Sequence, residues 1–290
     1  MTKPDHEVYD LDEEDNEPIW SYAEGQALPG GALAIDRLGI GYRCETWLAW
    51  STRPWTPVVV KLARPHMVTH PRAARTLRRE VVAMSGALHP SIPKLIADGV
   101  EDAVPHLVME YVDGLPLDAV LDDTGPMTAP NAALMCVQIL AAVTDLHSRG
   151  LAHLDLKPPN VVLRDGRPVV IDYGSTRVIG TPQPAGKPVG TEGYAAPEQE
   201  QCLPVSPTMD CYGVGAILYE ALTDEPIEPD GALAPVPAEL APVVTGLLEP
   251  DPERRMTAHE AMLALAAALP GERHPWPAWV DGHLSTRAAV

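Results

Sequence analysis

Residues 153–160 read HLDLKPPN, and eleven positions beyond them residues 171–174 read IDYG. The two stretches supply a carboxylate (Asp155), a lysine (Lys157), an amide (Asn160) and a second carboxylate (Asp172). These groups stand at the intervals that in-line phosphoryl transfer from metal-bound ATP requires. Further on, residues 190–198 read GTEGYAAPE, and residues 251–255 read DPERR.

Upstream of these motifs the chain is strand-like. LAIDRLGIGYRCETWLAW (33–50) sets Gly39 and Gly41 between alternating apolar positions, and VVVKL (58–62) is a third run rich in β-branched residues, so a small antiparallel sheet is expected. Glycines let a backbone approach phosphate oxygens closely. Lys61 is a single cation inside an apolar strand, where it costs solvation unless an anion meets it. Pro71 to Leu88 places arginines and apolar residues at helical spacing. Asn131 to Arg149 reads as a long amphipathic helix with Thr128 as N-cap and Pro130 in the first turn. Thr257 and Glu260 form a capping box at the start of a last helix, Ala258 to about Leu269.

At this point the chain resembles a eukaryotic-type serine/threonine protein kinase, close to the catalytic domains found in bacteria, from about Pro29 to Pro270. The resemblance implies an α+β, protein-kinase-like two-lobe fold: a small antiparallel β-sheet lobe with its helix C, a larger mainly helical lobe, and an active site in the cleft. The expected divisions are an acidic, disordered tail (1–28), the N-lobe (29–112), the C-lobe (113–270) and a C-terminal tail (271–290).

Site roles follow by the same resemblance. Gly39 and Gly41 match the glycine loop, with Cys44 at its third glycine and Thr46 where a valine usually caps adenine. Glu80 matches the helix-C glutamate that holds Lys61 against the α- and β-phosphates. In HLVMEYVDG (106–114) Met109 is the gatekeeper, Glu110 and Val112 offer backbone groups to the adenine edge, and Val59 and Val162 sandwich the ring. Asp155 accepts or orients the substrate hydroxyl proton, Lys157 neutralises charge on the transferred phosphoryl group, and Thr191 bridges the two. Asn160 and Asp172 supply oxygens for Mg2+. The implied cofactors are therefore ATP and Mg2+. The implied reaction is transfer of the γ-phosphoryl group to serine or threonine of a protein substrate, since a lysine two positions after the catalytic aspartate is the Ser/Thr-type arrangement.

Other matches are structural. Asp210, in MDCYGVGAILYEALT (209–223), matches the buried aspartate that fixes the catalytic loop, and Glu198 with Arg255 matches an ion pair of the large lobe. Met84, His153 and Tyr173 belong to a packing column.

Composition bounds the partners. Of 290 residues 46% are hydrophobic, enough for a sizeable core divided between the two expected lobes, and the four cysteines show no CxxC pair, so a reducing compartment is expected. The ten histidines show no HExxH or paired Cys/His spacing that would signal a zinc site. A net charge of -19 argues against nucleic acid. Nine acidic and no basic residues between Asp5 and Glu24 read as a solubilising tail, with an autoinhibitory or docking segment as the alternative. The apolar stretches Ala132–Val143 and Ala261–Leu269 fall short of the roughly 18 residues that a membrane span needs. No membrane span, no signal peptide and a cytoplasmic location are expected, with regulation from another polypeptide or from inside the cell.

Departures from the family pattern qualify this reading. Leu154 stands where an arginine usually receives an activation-loop phosphate, and QPAGKPV (183–189) contains no serine, threonine or tyrosine, so loop phosphorylation is not expected to switch the protein on; Lys187 marks where the phosphate would lie. The proline- and acid-rich segment from Asp224 to Leu240 is shorter than the family's helix-G region. A GERHPWPAWV tail (271–280) is expected to dock on its own lobe. Two alternatives stand beside an active protein kinase: a pseudokinase-like nucleotide-binding module, favoured by Cys44, Leu154 and the reduced helix-G region, and an aminoglycoside-type small-molecule phosphotransferase, against which GTEGYAAPE, Asp210 and Arg255 count.

Overall fold

The structure is a computed structural model that describes residues 17–227 and 233–269. The chain divides into two compact units. Among the described residues, one holds 17–81 together with Lys94–Tyr111; the other holds Val82–Pro93 and those from Val112 to Leu269. This differs from the expected division: residues 82–93 and Val112 belong to the larger unit, and residues 17–28 belong to the smaller one.

The smaller unit is built on a five-stranded antiparallel sheet of β1 (Leu33–Ile40), β2 (Cys44–Ser51), β3 (Thr56–Ala63), β4 (Leu95–Gly99) and β5 (His106–Glu110), in the order β1-β2-β3-β5-β4. Helix α1 (Pro71–Met84) follows β3 and ends four residues before the Leu88 expected from spacing. Strand alternation divides the side chains of β3 between two faces. Val58, Val60 and Leu62 join Trp47, Ala49 and Val108 in a buried core on one face. Val59 and Lys61 therefore share the other, where the register sets Val59 beside Leu48 and Met109, and Lys61 beside Thr46 and Leu107.

Residues 17–28 correct the expected tail. Trp20 and Tyr22 pack on the sheet core and Leu28 is buried within it. Glu45, fully buried, accepts from the Trp20 amide at 2.8 Å and from the Trp47 indole at 3.1 Å, and faces Arg37 Nε at 3.3 Å. Arg64, 2% exposed, donates to the Glu17 carbonyl at 2.6 Å, and the Trp20 indole donates to the Ala63 carbonyl at 2.8 Å. Low hydropathy averaged over the acidic stretch conceals two aromatic residues whose burial outweighs the cost of ordering them. Residues 1–16 lie outside the described residues.

The larger unit opens with β6 (Leu115–Pro116) and α2 (Leu117–Thr124), then α3 (Ala129–Ser148). Pro130 stands in the first turn of α3 and Thr128 at its N-cap, but the threonine hydroxyl makes no capping bond. Strands β7 (Leu151–Ala152), β8 (Val161–Arg164), β9 (Arg167–Val170) and β10 (Arg177–Val178) form two small sheets, β6-β8-β9 and β10-β7. Helices α4 (Pro197–Glu200), α5 (Pro207–Thr223), α6 (Ala241–Leu247) and α7 (Ala258–Ala267) complete it. Among the described residues none of 224–227 or 233–240 is helical, in keeping with a reduced segment between α5 and α6. The capping box at Thr257 and Glu260 is formed in both directions, which holds the Glu260 carboxyl below its ordinary range. The 271–280 segment lies outside the described residues.

Helix α3 corrects one expectation. With 20 residues it is long and apolar enough to cross a membrane by length and composition. Polar residues flanking the apolar stretch shorten what a reading of runs can detect, whereas an averaged window tolerates them. In the fold its Ile139, Leu140 and Leu146 are fully buried, as α3 packs on α5 and α7. Burying each such side chain contributes about 1.5–3 kcal/mol, so the core of this unit accounts for its apolar composition.

All four cysteines are free. Burial pushes the thiols of Cys136 and Cys211 up to about 12, whereas Cys202 is only half-buried. Because the thiolate is the nucleophile, iodoacetamide near neutral pH should alkylate Cys202 in the native protein and leave Cys136 and Cys211 untouched. Peptide mapping that finds Cys136 labelled as fast as Cys202 would contradict the packing of α3.

Candidate active site

In the smaller unit, Lys61 Nζ lies 2.6 Å from Glu80 Oε1, with side-chain exposures of 13% and 1%. Burial makes this pair consequential: removing one partner would leave the other charge without compensation in a low-dielectric site. Val59 and Met109, paired across β3 and β5, are buried on the face that carries Lys61. Glu110 closes β5, its amide donating to the Lys94 carbonyl at 2.9 Å. Gly39 lies in β1, paired with Thr46, and Gly41 opens the turn to β2, where its amide donates to the Cys44 carbonyl at 2.9 Å. A Cβ at Gly39 would meet nothing and one at Gly41 only the Cys44 carbonyl at 3.5 Å. The fold itself therefore does not demand glycine at either position, and their use is free to serve a ligand.

In the larger unit, three side chains form a closed triangle. Thr191 Oγ1 donates to Asp155 Oδ1 at 2.6 Å and accepts from Lys157 Nζ at 2.7 Å, while Lys157 Nζ stands 3.4 Å from Asp155 Oδ2. Asn160 closes the group from below, its amide donating to the Asp155 carbonyl at 2.8 Å. That bond commits the NH2 of Asn160 and leaves its carbonyl oxygen as the atom for a further partner.

Asp172 is brought to the same place by strand pairing. Val161 pairs with Val170 across β8 and β9, so Asn160 and Ile171 are opposed, and the Ile171 amide donates to the Asn160 carbonyl at 2.8 Å. His153 adds a second tie, with Nδ1 accepting from the Asp155 amide at 3.2 Å and Nε2 facing the Ile171 carbonyl at 3.3 Å. The ring also packs edge-on to Tyr173, with centroids 5.0 Å apart. Asp172 itself takes φ 58°, a left-handed conformation that aspartate tolerates better than most residues. Val112 and Val162 are buried together with Val169 in one apolar cluster.

The backbone of the loop at 153–155 is held from α5. Asp210, fully buried, accepts from the His153 amide at 2.8 Å, the Leu154 amide at 2.7 Å and His147 Nε2 at 2.8 Å. Leu154 has φ 67°, which costs a leucine about 1–2 kcal/mol. A hydrogen bond to a charged group is worth about 1.5–3 kcal/mol, so the Asp210 contacts more than offset this strain. Arg255 meets Glu198 through two bonds, 2.5 and 2.8 Å, and also donates to the Thr208 and Glu249 carbonyls.

One acidic group lies at the far end of α5. Tyr194 Oη donates to Glu220 Oε2 at 2.6 Å. Burial pushes the Glu220 carboxyl up, and the negative charges of Asp118, Asp224 and Asp122 push it further against the lowering effect of Tyr194.

The residues singled out from sequence thus fall into two sets, one in each unit: Gly39, Gly41, Val59, Lys61, Glu80, Met109 and Glu110, and then Val112, Asp155, Lys157, Asn160, Val162, Asp172 and Thr191. Sequence reasoning did not mark Gln199. It is 1% exposed and its side-chain amide donates to the carbonyls of Leu154, at 2.7 Å, and of Val189. Its only sequence signal is its place directly after the APE of GTEGYAAPE.

These features define a protein kinase domain, and the chain belongs to that family, whose pattern matches residues 34–264. Among its relatives, a probable serine/threonine-protein kinase of Streptomyces coelicolor is 31% identical over 81% of this chain and 39% of its own length. The serine/threonine-protein kinase PknB of Mycobacterium tuberculosis is 30% identical over 81% of this chain and 42% of its own, and PksC of Streptomyces coelicolor is 29% identical over 82% and 49%. The chain therefore spans about two fifths to half the length of these relatives.

Proposed function

We propose that this chain transfers the γ-phosphoryl group of ATP to serine or threonine hydroxyls of a protein substrate. The observation that carries the reading is the Asp155–Thr191–Lys157 triangle. It holds a carboxylate ready to accept a hydroxyl proton and a cation beside it, with a threonine hydroxyl fixing both. In the reaction the substrate oxygen bonds to the γ-phosphorus as the bond to the β–γ bridging oxygen breaks. The hydroxyl proton passes to Asp155 and ADP departs. Lys157 offsets charge on the transferred group, and Lys61, held by Glu80, serves the inner phosphates. Asn160 and Asp172 offer an amide oxygen and a carboxylate, a donor set suited to a hard cation such as Mg2+. When bound, that ion neutralises phosphate charge.

Incubation with labelled ATP, Mg2+ and a generic basic protein tests the reading. Label on serine or threonine supports it. Nucleotide binding with no transfer would favour the pseudokinase-like module, and transfer to small metabolites alone would favour the aminoglycoside-type reaction. A basic acceptor suits the acidic group around Glu220 and the net charge of -19. A cytoplasmic location, where ATP is available and thiols stay reduced, fits the four free cysteines.

Activity is independent of phosphate in the segment before Gly190. Leu154 is buried with Ala152, Ala196, Val205 and Met209, and Ile179 and Val189 pack on them. An apolar cluster of this kind has nothing to offer a phosphate. Phosphatase treatment should leave the turnover number within about twofold, well inside what loss of a positioning contact produces. A phosphate between Ser175 and Thr181 that proves necessary for activity would refute it.

A further inference from the structure

We infer that Gln199 is a positioning residue for phosphoryl transfer: its side-chain amide clasps the carbonyl before Asp155 to the carbonyl before Gly190, and so sets Asp155 and Thr191 in register. The inference rests on the kinase reading above and adds to it a residue outside the set read from the sequence.

The geometry is specific. The two acceptors are Leu154 O, at 2.7 Å, and Val189 O. One directly precedes Asp155, and the other lies two residues before Thr191, whose hydroxyl bonds Asp155 and Lys157. An amide NH2 has two donors, and here both go to backbone atoms from segments about 35 residues apart in sequence, a span whose closure the chain must offset. Gly190 fits the clasp sterically. It has φ 111°, and a Cβ there would strike the Gln199 amide nitrogen and come within 2.7 Å of Leu154 O.

Leu154 gives the clasp its importance. Its left-handed conformation persists because both of its backbone polar groups are taken by side chains, the amide by Asp210 on α5 and the carbonyl by Gln199 on α4. Asp210 alone fixes the loop to the helical core, but it does not reach the 189–191 segment. Gln199 does. Gln183 supports the same arrangement, donating to the Leu203 carbonyl at 2.8 Å and so tying the upstream end of the segment to the turn that follows α4.

The test compares wild type with Gln199→Met, similar in volume but without donors, and Gln199→Glu, which turns an acceptor toward each carbonyl. Both should lower kcat about 10- to 100-fold, the range expected from misplacing a catalytic group by up to about 1 Å, while KM for ATP stays within about twofold. Thr191→Val should lower kcat as well. Gln199→Met placed on top of it should cost little more, because both act on one contact. A Gln199→Met variant with kcat within twofold of wild type, or penalties that multiply in the double variant, overturns the inference. Hydrogen exchange supplies a readout independent of turnover, including the case in which wild type itself transfers no phosphate and the kinase reading fails. Gln199→Met should speed amide exchange at residues 153–156 and 189–192 and leave α3 and α5 unchanged. Exchange that is unaltered, or raised uniformly as in general destabilisation, overturns it.

Discussion

Asp155→Asn is expected to lower kcat by roughly 10²- to 10⁴-fold, the contribution of a positioned general base, while the protein folds and binds ATP as before. Asparagine keeps the size of the side chain and an oxygen that can accept from Thr191, the bond that spans 2.6 Å in the wild type. What it lacks is basicity and the negative charge facing Lys157, 3.4 Å away. The loss should therefore fall on kcat and leave nucleotide affinity intact, which single-turnover assays with labelled ATP and a separate nucleotide titration can divide. Retention of more than about a tenth of wild-type turnover would place the base elsewhere.

Asp210→Ala should have the largest effect on stability. The substitution strips the acceptor from the amides of His153 and Leu154 and the partner from His147 in one step. Removing one member of a buried charged network costs about 3–5 kcal/mol, and in a domain of this size each kcal/mol lowers Tm by about 2–4 °C. A fall of roughly 6–20 °C follows, together with loss of turnover as Leu154 relaxes from its left-handed conformation. The pH dependence has a definite sign. Burial alone would raise the Asp210 carboxyl, but the hydrogen bond and charge of His147, the charge of His153 and the Leu154 amide bring it below the ordinary aspartate range. A folded-state pKa lower than the unfolded value, about 3.9, means the stabilisation is complete above that value and fades as pH falls through the lower folded one. Wild type and Asp210→Ala should accordingly differ fully between about pH 5 and 7 and converge on acidification. A gap that widens toward acid would contradict the assignment.

Much of this was legible in residues 153–174, because catalysis needs particular functional groups and a short loop can present them only at fixed intervals. Lys61 was legible for another reason: a lysine within VVVKL must meet an anion. Strand periodicity then places Val59, Lys61, Leu107 and Met109 on one face without further information. The N-terminal strap was not legible. Trp20 and Glu45 are 25 positions apart, and only the folded sheet shows that a fully buried glutamate is satisfied by that amide, by Trp47 and by Arg37. The apolar length of helix α3 was underestimated for a different reason: polar residues flank its apolar run, so a count of uninterrupted apolar positions stops short of the 20-residue helix.

The functional groups proposed for phosphoryl transfer could be read from the chain alone, since the identity and spacing of Asp155, Lys157, Asn160, Asp172 and Thr191 are local properties. What holds them is a property of the folded chain. Asp210 and Gln199 reach the loop from 56 and 45 residues away, and which buried carbonyl or amide a side chain will satisfy depends on the packing of helices and turns that no local pattern encodes.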